Sequence, residues 1–277
     1  MKNFSIFQKA KITSIAIGGF DGMHLGHQKL FSYLDKNGAI AVIETGYANL
    51  TPKANRASKT DFPLVYYPLE QIKHLQGTQF IDLLKEEFPA LQKIVVGFDF
   101  CFGANRKYCV EELKQLFHGE IIVVKEIKKD GIGIHSALIR KYLKDGQLNK
   151  ANQFLGKEYQ LNGRIIKGQG LGKKQFVPTL NIDVQDFLIP QEGIYATKTI
   201  IDNSVHNSVT FIGHRVTTDG KFAIETHILD TEIHPQSHSL DIQFYKKLRN
   251  NEKFEEFELL KQQILKDIHN TKHFFSS

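Results

Sequence analysis

The sequence predicts two domains of different class, an α/β domain followed by a small all-β barrel. Three observations carry this. β-branched runs alternate with helical periodicity through the first half, six short β-rich stretches crowd the second, and 277 residues are comfortable for two domains.

In the first half, apolar runs rich in isoleucine and valine occupy residues 12–17, 39–43, 93–98 and 120–127. Helical patterns lie between them, in Leu30, Phe31 and Leu34, then Phe80, Leu83 and Leu84, then Val110, Leu113 and Leu116. Strands alternating with helices predict a parallel, Rossmann-like sheet covered on both faces, with ligands beyond the carboxyl ends of its strands. In the second half, β-rich stretches recur at 159–166, 179–184, 194–201, 205–212, 222–229 and 240–245, separated by turn clusters such as IDNS and TTDG. Their spacing predicts a small antiparallel barrel. One helix closes the chain, with Phe254, Phe257, Leu260, Ile264 and Ile268 as its packing stripe. The boundary is predicted after the segment LNKANQFL, giving domains 1–155 and 156–277, with no Pro/Ser-rich linker between them.

Composition excludes several classes. No stretch reaches the roughly 20 apolar residues of a membrane span, and the N-terminal residues lack the apolar core of an export signal. A cytoplasmic protein is therefore expected. Cys101 and Cys109 are too few for a disulfide framework or a zinc site and are read as reduced thiols. His206, His214, His227, His234 and His238 fit no tight zinc spacing. The net charge of +6 and pI near 9.1 come from dispersed lysines rather than a basic block, which suits phosphate-bearing small molecules at least as well as nucleic acid. No nucleic-acid or membrane partner is expected, and the sequence sets no oligomeric state.

The string GGFDGMHLGH, residues 18–27, follows a predicted strand and opens a helix. Gly18, Gly19, Gly22 and Gly26 let backbone approach a ligand without a Cβ. His24 and His27, three apart, can face one phosphate chain and stabilise charge developing on phosphorus or on a pyrophosphate leaving group. Two later strings support a phosphate site. VGFDFCFG, residues 96–103, again follows a strand and carries Asp99. In HSALIR, residues 135–140, Ser136 can cap a helix and Arg140 can grip phosphate bidentately.

In the second half, Lys167–Lys174 alternates glycine and lysine, including Gly168 and Gly172, as a polyphosphate-wrapping loop would. Thr179 and Asn181, two apart on a predicted strand, can present oxygens to one Mg²⁺. Glu225, in FAIETHIL, can accept a proton from a substrate hydroxyl.

The order GGFDGMHLGH, VGFDFCFG, HSALIR resembles the FMN adenylyltransferase module, an HxGH nucleotidyltransferase fold, of the bacterial bifunctional riboflavin kinase/FAD synthetase family. LGKEY, GRIIKG, PTLNI, GIY, IGHR, ETHILD and KLRNNEKF resemble that family's riboflavin kinase module. Together the two modules cover nearly the whole chain. The resemblance implies ATP-dependent phosphorylation of riboflavin to FMN, then adenylylation of FMN to FAD with release of pyrophosphate. His24, His27 and Arg140 would act on ATP, with Gly18, Phe20, Asp21, Gly26 and Ser136 at its phosphates and Asp99 and Phe100 on the flavin side. Lys167, Gly168 and Gly172 would hold ATP in the kinase, Thr179 and Asn181 would hold Mg²⁺, and Glu225 would be the base. The competing expectations are another HxGH nucleotidyltransferase with an inactive kinase-like module, or a non-catalytic flavin- or nucleic-acid-binding regulator.

The chain departs from the family pattern in places. Gly19 and Ala137 replace a polar residue and a threonine, and ETGYANLTPKANRASK replaces a proline-rich stretch. Phe176 and Val216 replace a glycine and a proline, and HPQSHS at 234–239 replaces a tyrosine–glycine turn.

Overall fold

A computed structural model describes residues 9–167, 177–215, 217 and 219–276. These form two compact units, one ending at Ser136 and the other starting at Ala137.

The first unit is built on a parallel sheet. Its elements are β1 (Ser14–Gly18), α1 (Leu25–Phe31), β2 (Gly38–Glu44), β3 (Leu64–Pro68), α2 (Gly77–Glu87), β4 (Lys93–Gly97), α3 (Val110–Leu116) and β5 (Glu120–Val124). The strand order is β3-β2-β1-β4-β5, parallel throughout. Side chains alternate along each strand between two apolar clusters. Ile15, Ile17, Ala39, Ala41, Ile94 and Val96 face one, and Ala16, Ile40, Val42 and Val95 face the other. Burial on both faces is why these strands read as continuous apolar runs. The order reverses between β1 and β4, so the crevice for a ligand opens beyond their carboxyl ends. Both strand-following strings, GGFDGMHLGH and VGFDFCFG, begin there.

β3 has no counterpart among the predicted strands. Its sequence, LVYYP, starts after Pro63 and ends on Pro68, and proline argues against a strand except at a sheet edge. β3 is that edge.

The reduced-thiol reading is corrected. Cys101 and Cys109 are joined in a disulfide, their Cα atoms 4.1 Å apart. Phe102 and Tyr108 form an antiparallel bridge just inside the pair, folding the chain back on itself, which a separation of eight residues does not reveal.

The second unit contains α4 (Ser136–Lys144, opening at the junction), α5 (Leu148–Leu155), β6 (Tyr159–Ile166), β7 (Leu180–Asp183), β8 (Gly193–Ile201), β9 (Ser204–His214), β10 (Phe222–Ile228), β11 (Ser239–Arg249) and α6 (Phe257–Ser276). The six strands close into an antiparallel barrel of order β8-β9-β10-β7-β6-β11. Gly156, at φ 73°, ends α5. Asn152 on that helix accepts from the Tyr159 N–H at 2.9 Å and donates to the Phe244 carbonyl at 2.8 Å, so packing groups α5 with the barrel.

Inside the barrel, Thr197, Thr199, Ser208, Thr210 and Thr226 are fully buried. Their hydroxyls bond to one another at 2.8 to 3.2 Å, which satisfies groups that burial would otherwise penalise. The predicted stripe of α6 is only partly used, since Phe257 is 56% exposed. Asp267, 3% exposed, is the better-buried anchor. Its carboxylate receives Arg249 Nε at 3.0 Å and Nη2 at 2.7 Å. Among the described residues, no helix is long and apolar enough to cross a membrane.

Candidate active sites

The turn after β1 is tightly wound. Phe20 (φ 47°), Gly22 (φ 88°) and Met23 (φ 46°) all lie in the left-handed region. For Phe and Met this costs on the order of 1 kcal/mol each, and such backbone persists only where its surroundings over-determine it. Here they do. Phe20 and Met23 are buried, and Phe20 meets the rings of His27 and Phe31 edge-on at 5.2 and 5.0 Å.

His24, 5% exposed, is the N-cap of α1. Its Nδ1 accepts from the His27 N–H at 3.3 Å. The two imidazoles stack, centroids 3.5 Å apart and planes 19° from parallel. A Cβ on residue 26 would come within 3.1 Å of His24 Cε1 and 3.2 Å of Nδ1, so glycine at this position gives the first imidazole its room.

Asp21 was expected at the phosphates, but its carboxylate is turned to backbone. Oδ1 accepts from the Leu50 and Thr51 N–H groups at 2.9 Å each, and Oδ2 from the Asn49 N–H at 3.2 Å. Ser136, the last residue of the first unit, donates through Oγ to the Asp21 carbonyl at 2.7 Å. Arg140 lies one turn further along α4 and is half-buried.

Beyond β4, Asp99 is exposed. Phe100 is half-buried against the core and stacks on Phe102 at 5.6 Å. Phe98, which the sequence reading did not single out, is the more available ring, 48% exposed.

In the barrel, the burial of β10 alternates, with Ile224, Thr226 and Ile228 inward and Glu225 and His227 on the outer face. Asn181 of β7 pairs in register with Glu225, and Thr179 lies two residues before it, so the two predicted metal-binding residues and the predicted base share one region of the barrel wall. Glu225 receives a hydrogen bond from Arg215 Nη1 at 3.0 Å. Arg215 is itself held by Asp219, through Nε and Nη2 at 3.0 Å each. Burial pushes the Glu225 carboxyl above the ordinary carboxylate range, and the Arg215 charge opposes that rise. His227 Nδ1 lies 2.8 Å from the Pro178 carbonyl, beside a cavity of about 450 Å³ lined by Pro178, His227, Ile228, Asp230, Thr231 and Glu232.

Arg215, Asp219 and His227 were given no role from sequence. The first and last stand inside the strings IGHR and ETHILD, but partners ten or fifty residues away are set by strand register. Lys167 is exposed at the end of β6, while Gly168, Gly172, Phe176 and Val216 lie outside the described residues.

Known proteins match both halves of the chain. Residues 155–275 match the riboflavin kinase family and residues 6–45 the FAD synthetase family. The bifunctional riboflavin kinase/FMN adenylyltransferase of Listeria monocytogenes is 28% identical, over 95% of this chain and 92% of its own length. The protein of the same name from Buchnera aphidicola is 29% identical over 95% and 94%, and that of Bacillus subtilis 28% over 95% and 92%. In fold, the chain superposes on a crystal structure titled as a macrolide-efflux protein from Streptococcus pneumoniae with a TM-score of 0.83, 24% identity, and coverage of 95% and 94%. The similarity to these bifunctional riboflavin kinase/FMN adenylyltransferases runs through both modules in a single alignment.

Proposed function

We infer that the chain carries out both reactions its relatives are named for, phosphorylating riboflavin to FMN in the barrel and adenylylating FMN to FAD in the parallel-sheet unit. The functional modules are 1–155 and 156–277. The observation that carries the assignment of the second reaction is the stacked imidazole pair at the turn after β1, where an open parallel sheet receives its ligand.

In adenylyl transfer, the FMN phosphate attacks the α-phosphorus of ATP and pyrophosphate leaves. His24 and His27 meet the charge that develops on the triphosphate. Arg140 adds a bidentate grip, and Gly18, Phe20, Gly26 and Ser136 shape the cradle. Asp21 helps to shape the same phosphate site while its carboxylate fixes the turn. Asp99 and Phe100 stand on the flavin side, and the exposed ring of Phe98 extends that surface. Catalysis here is alignment and charge stabilisation, with no covalent enzyme intermediate.

In the kinase reaction, the riboflavin 5′-hydroxyl attacks the γ-phosphorus of ATP while Glu225 takes its proton. A carboxyl raised by burial is closer to the working pH of a general base, and the Arg215 bond holds it in one orientation. Thr179 and Asn181 supply the neutral hard oxygens that suit Mg²⁺. The ion would neutralise charge on the transferring phosphoryl group. Lys167, Gly168 and Gly172 would wrap the polyphosphate. ATP is the co-substrate of both steps, and a cytoplasmic enzyme fits that need. Its partners are small molecules, with no role for nucleic acid or membrane.

The test is direct. Purified protein is incubated with riboflavin, ATP and Mg²⁺, and the flavins are separated by chromatography. FMN followed by FAD is expected. Unchanged riboflavin together with unchanged FMN in a parallel reaction would overturn the assignment.

A further inference from the structure

The segment that replaces the family's proline-rich stretch is built into the strained turn. Thr51, 5% exposed, makes two contacts with it in opposite directions. Its backbone N–H donates to Asp21 Oδ1 at 2.9 Å, and its hydroxyl oxygen accepts from the Gly22 N–H at 2.8 Å. Gly22 lies between Phe20 and Met23, both non-glycine residues held at positive φ. The segment is anchored at a second point. Arg56, fully buried, donates through Nη1 to the Glu44 carboxylate at the end of β2 at 2.9 Å and to the Lys53 carbonyl at 3.3 Å. Thr51 therefore presents its hydroxyl from a fixed frame.

We infer that Thr51 is a positioning residue for adenylyl transfer, its hydroxyl holding Gly22 in the wound turn and thereby setting the two imidazoles. This rests on the reading of the parallel-sheet unit as the adenylyltransferase. The chain of contacts is short. Gly22 precedes Met23, whose carbonyl receives Gln28 Nε2 of α1 at 2.9 Å, and Met23 precedes His24, the cap of that helix. Without an acceptor at residue 51, the Gly22 N–H is left buried and unpaired, and the turn recovers a partner only by unwinding. Unwinding moves His24 and with it the stacked His27.

The distinguishing experiment compares Thr51→Val, which keeps the shape and removes the acceptor, with Thr51→Ser, which keeps the acceptor and removes a methyl. FAD formation from FMN is measured with kcat and KM for ATP separated, and riboflavin phosphorylation by the same chain is followed alongside. Hydrogen exchange at β1, β2 and β4 reports whether the sheet is intact, and Thr51→Ala replaces the valine variant if that one does not fold. The expected result is a loss of about tenfold or more in kcat for valine, within reach of losing accurate placement of one charge-stabilising group. Serine should stay within about twofold, and riboflavin phosphorylation should be unchanged in both. A folded valine variant with full kcat, or one whose loss serine does not restore, overturns the inference. Failure of the unsubstituted protein to convert FMN to FAD removes the underlying assignment first, and is read separately.

Discussion

Under the proposed function both sites hold a polyphosphate, and they are built by opposite means. In the barrel, Asn181 and Glu225 sit opposite each other because β7 and β10 pair in register, so the ladder places the chemistry. In the sheet unit, the site lies in a turn that leaves the ladder, with two bulky residues at positive φ, and it is fixed from outside by Asp21, Thr51 and Ser136. A site on a ladder fails when its reacting group is changed. A site on a turn also fails when residues that touch no substrate are changed.

The sharpest way to break the comparison is Glu225→Gln. It keeps the size and an acceptor for Arg215 but removes the base, and it should lower riboflavin phosphorylation by about three orders of magnitude, within the range for losing general-base catalysis. FAD formation from supplied FMN should be unchanged. Chromatographic rates on the two substrates decide the matter, and a joint fall in a folded protein would erase the division into two sites.

His27→Ala is the counterpart in the turn. FAD formation from FMN should fall by about two orders of magnitude, the scale of one lost electrostatic stabiliser, with the kinase rate intact. Wild-type FAD synthesis by a folded variant would remove His27 from the mechanism.

Gly26→Ala tests the turn without touching a reacting group. The added methyl comes within 3.1 and 3.2 Å of the His24 ring, so the imidazole must tilt and the stack with it. A loss of about tenfold in FAD formation is expected, since small misplacements near reacting atoms carry that scale of penalty. Unaltered kcat would mean that the stacked arrangement is not the working one.

How much of this was legible follows the same division. The strands of the barrel lie where alternation puts them, and a two-residue period sets Thr179 and Asn181 on one face, while Glu225 was singled out by the resemblance of its string. The GGFDGMHLGH string named the turn, but not its supports. Thr51 and Asn49 lie about thirty residues away in a segment with no periodicity, and their contacts run through backbone N–H groups that any sequence possesses. Asp21 came to the phosphates by resemblance alone, and its bonds to the backbone of residues 49–51 were not legible in the string. β3 was hidden by flanking prolines that only its edge position tolerates. The Cys101–Cys109 bridge was hidden because composition counts cysteines without showing that the chain between them turns back.

The smallest effect on activity should come from the best-buried charged anchor in the barrel unit. Arg249 and Asp267 pair through three contacts of 2.7 to 3.1 Å, and side chains only 18% and 4% exposed make the pair dependent on its own members rather than on water. Asp267→Asn leaves a guanidinium facing a neutral amide. Removing one member of a buried pair typically costs about 3 to 5 kcal/mol, and somewhat less where the replacement can still accept a hydrogen bond, so about 2 kcal/mol is expected here. Asn181 and Glu225 are register partners of each other, on strands β7 and β10. Both reaction rates should therefore stay within about twofold at 25 °C, while the barrel's thermal unfolding moves down by several degrees. A kinase rate that fell while the barrel remained folded would show that the closing helix also sets the chemistry, and that the ladder alone does not.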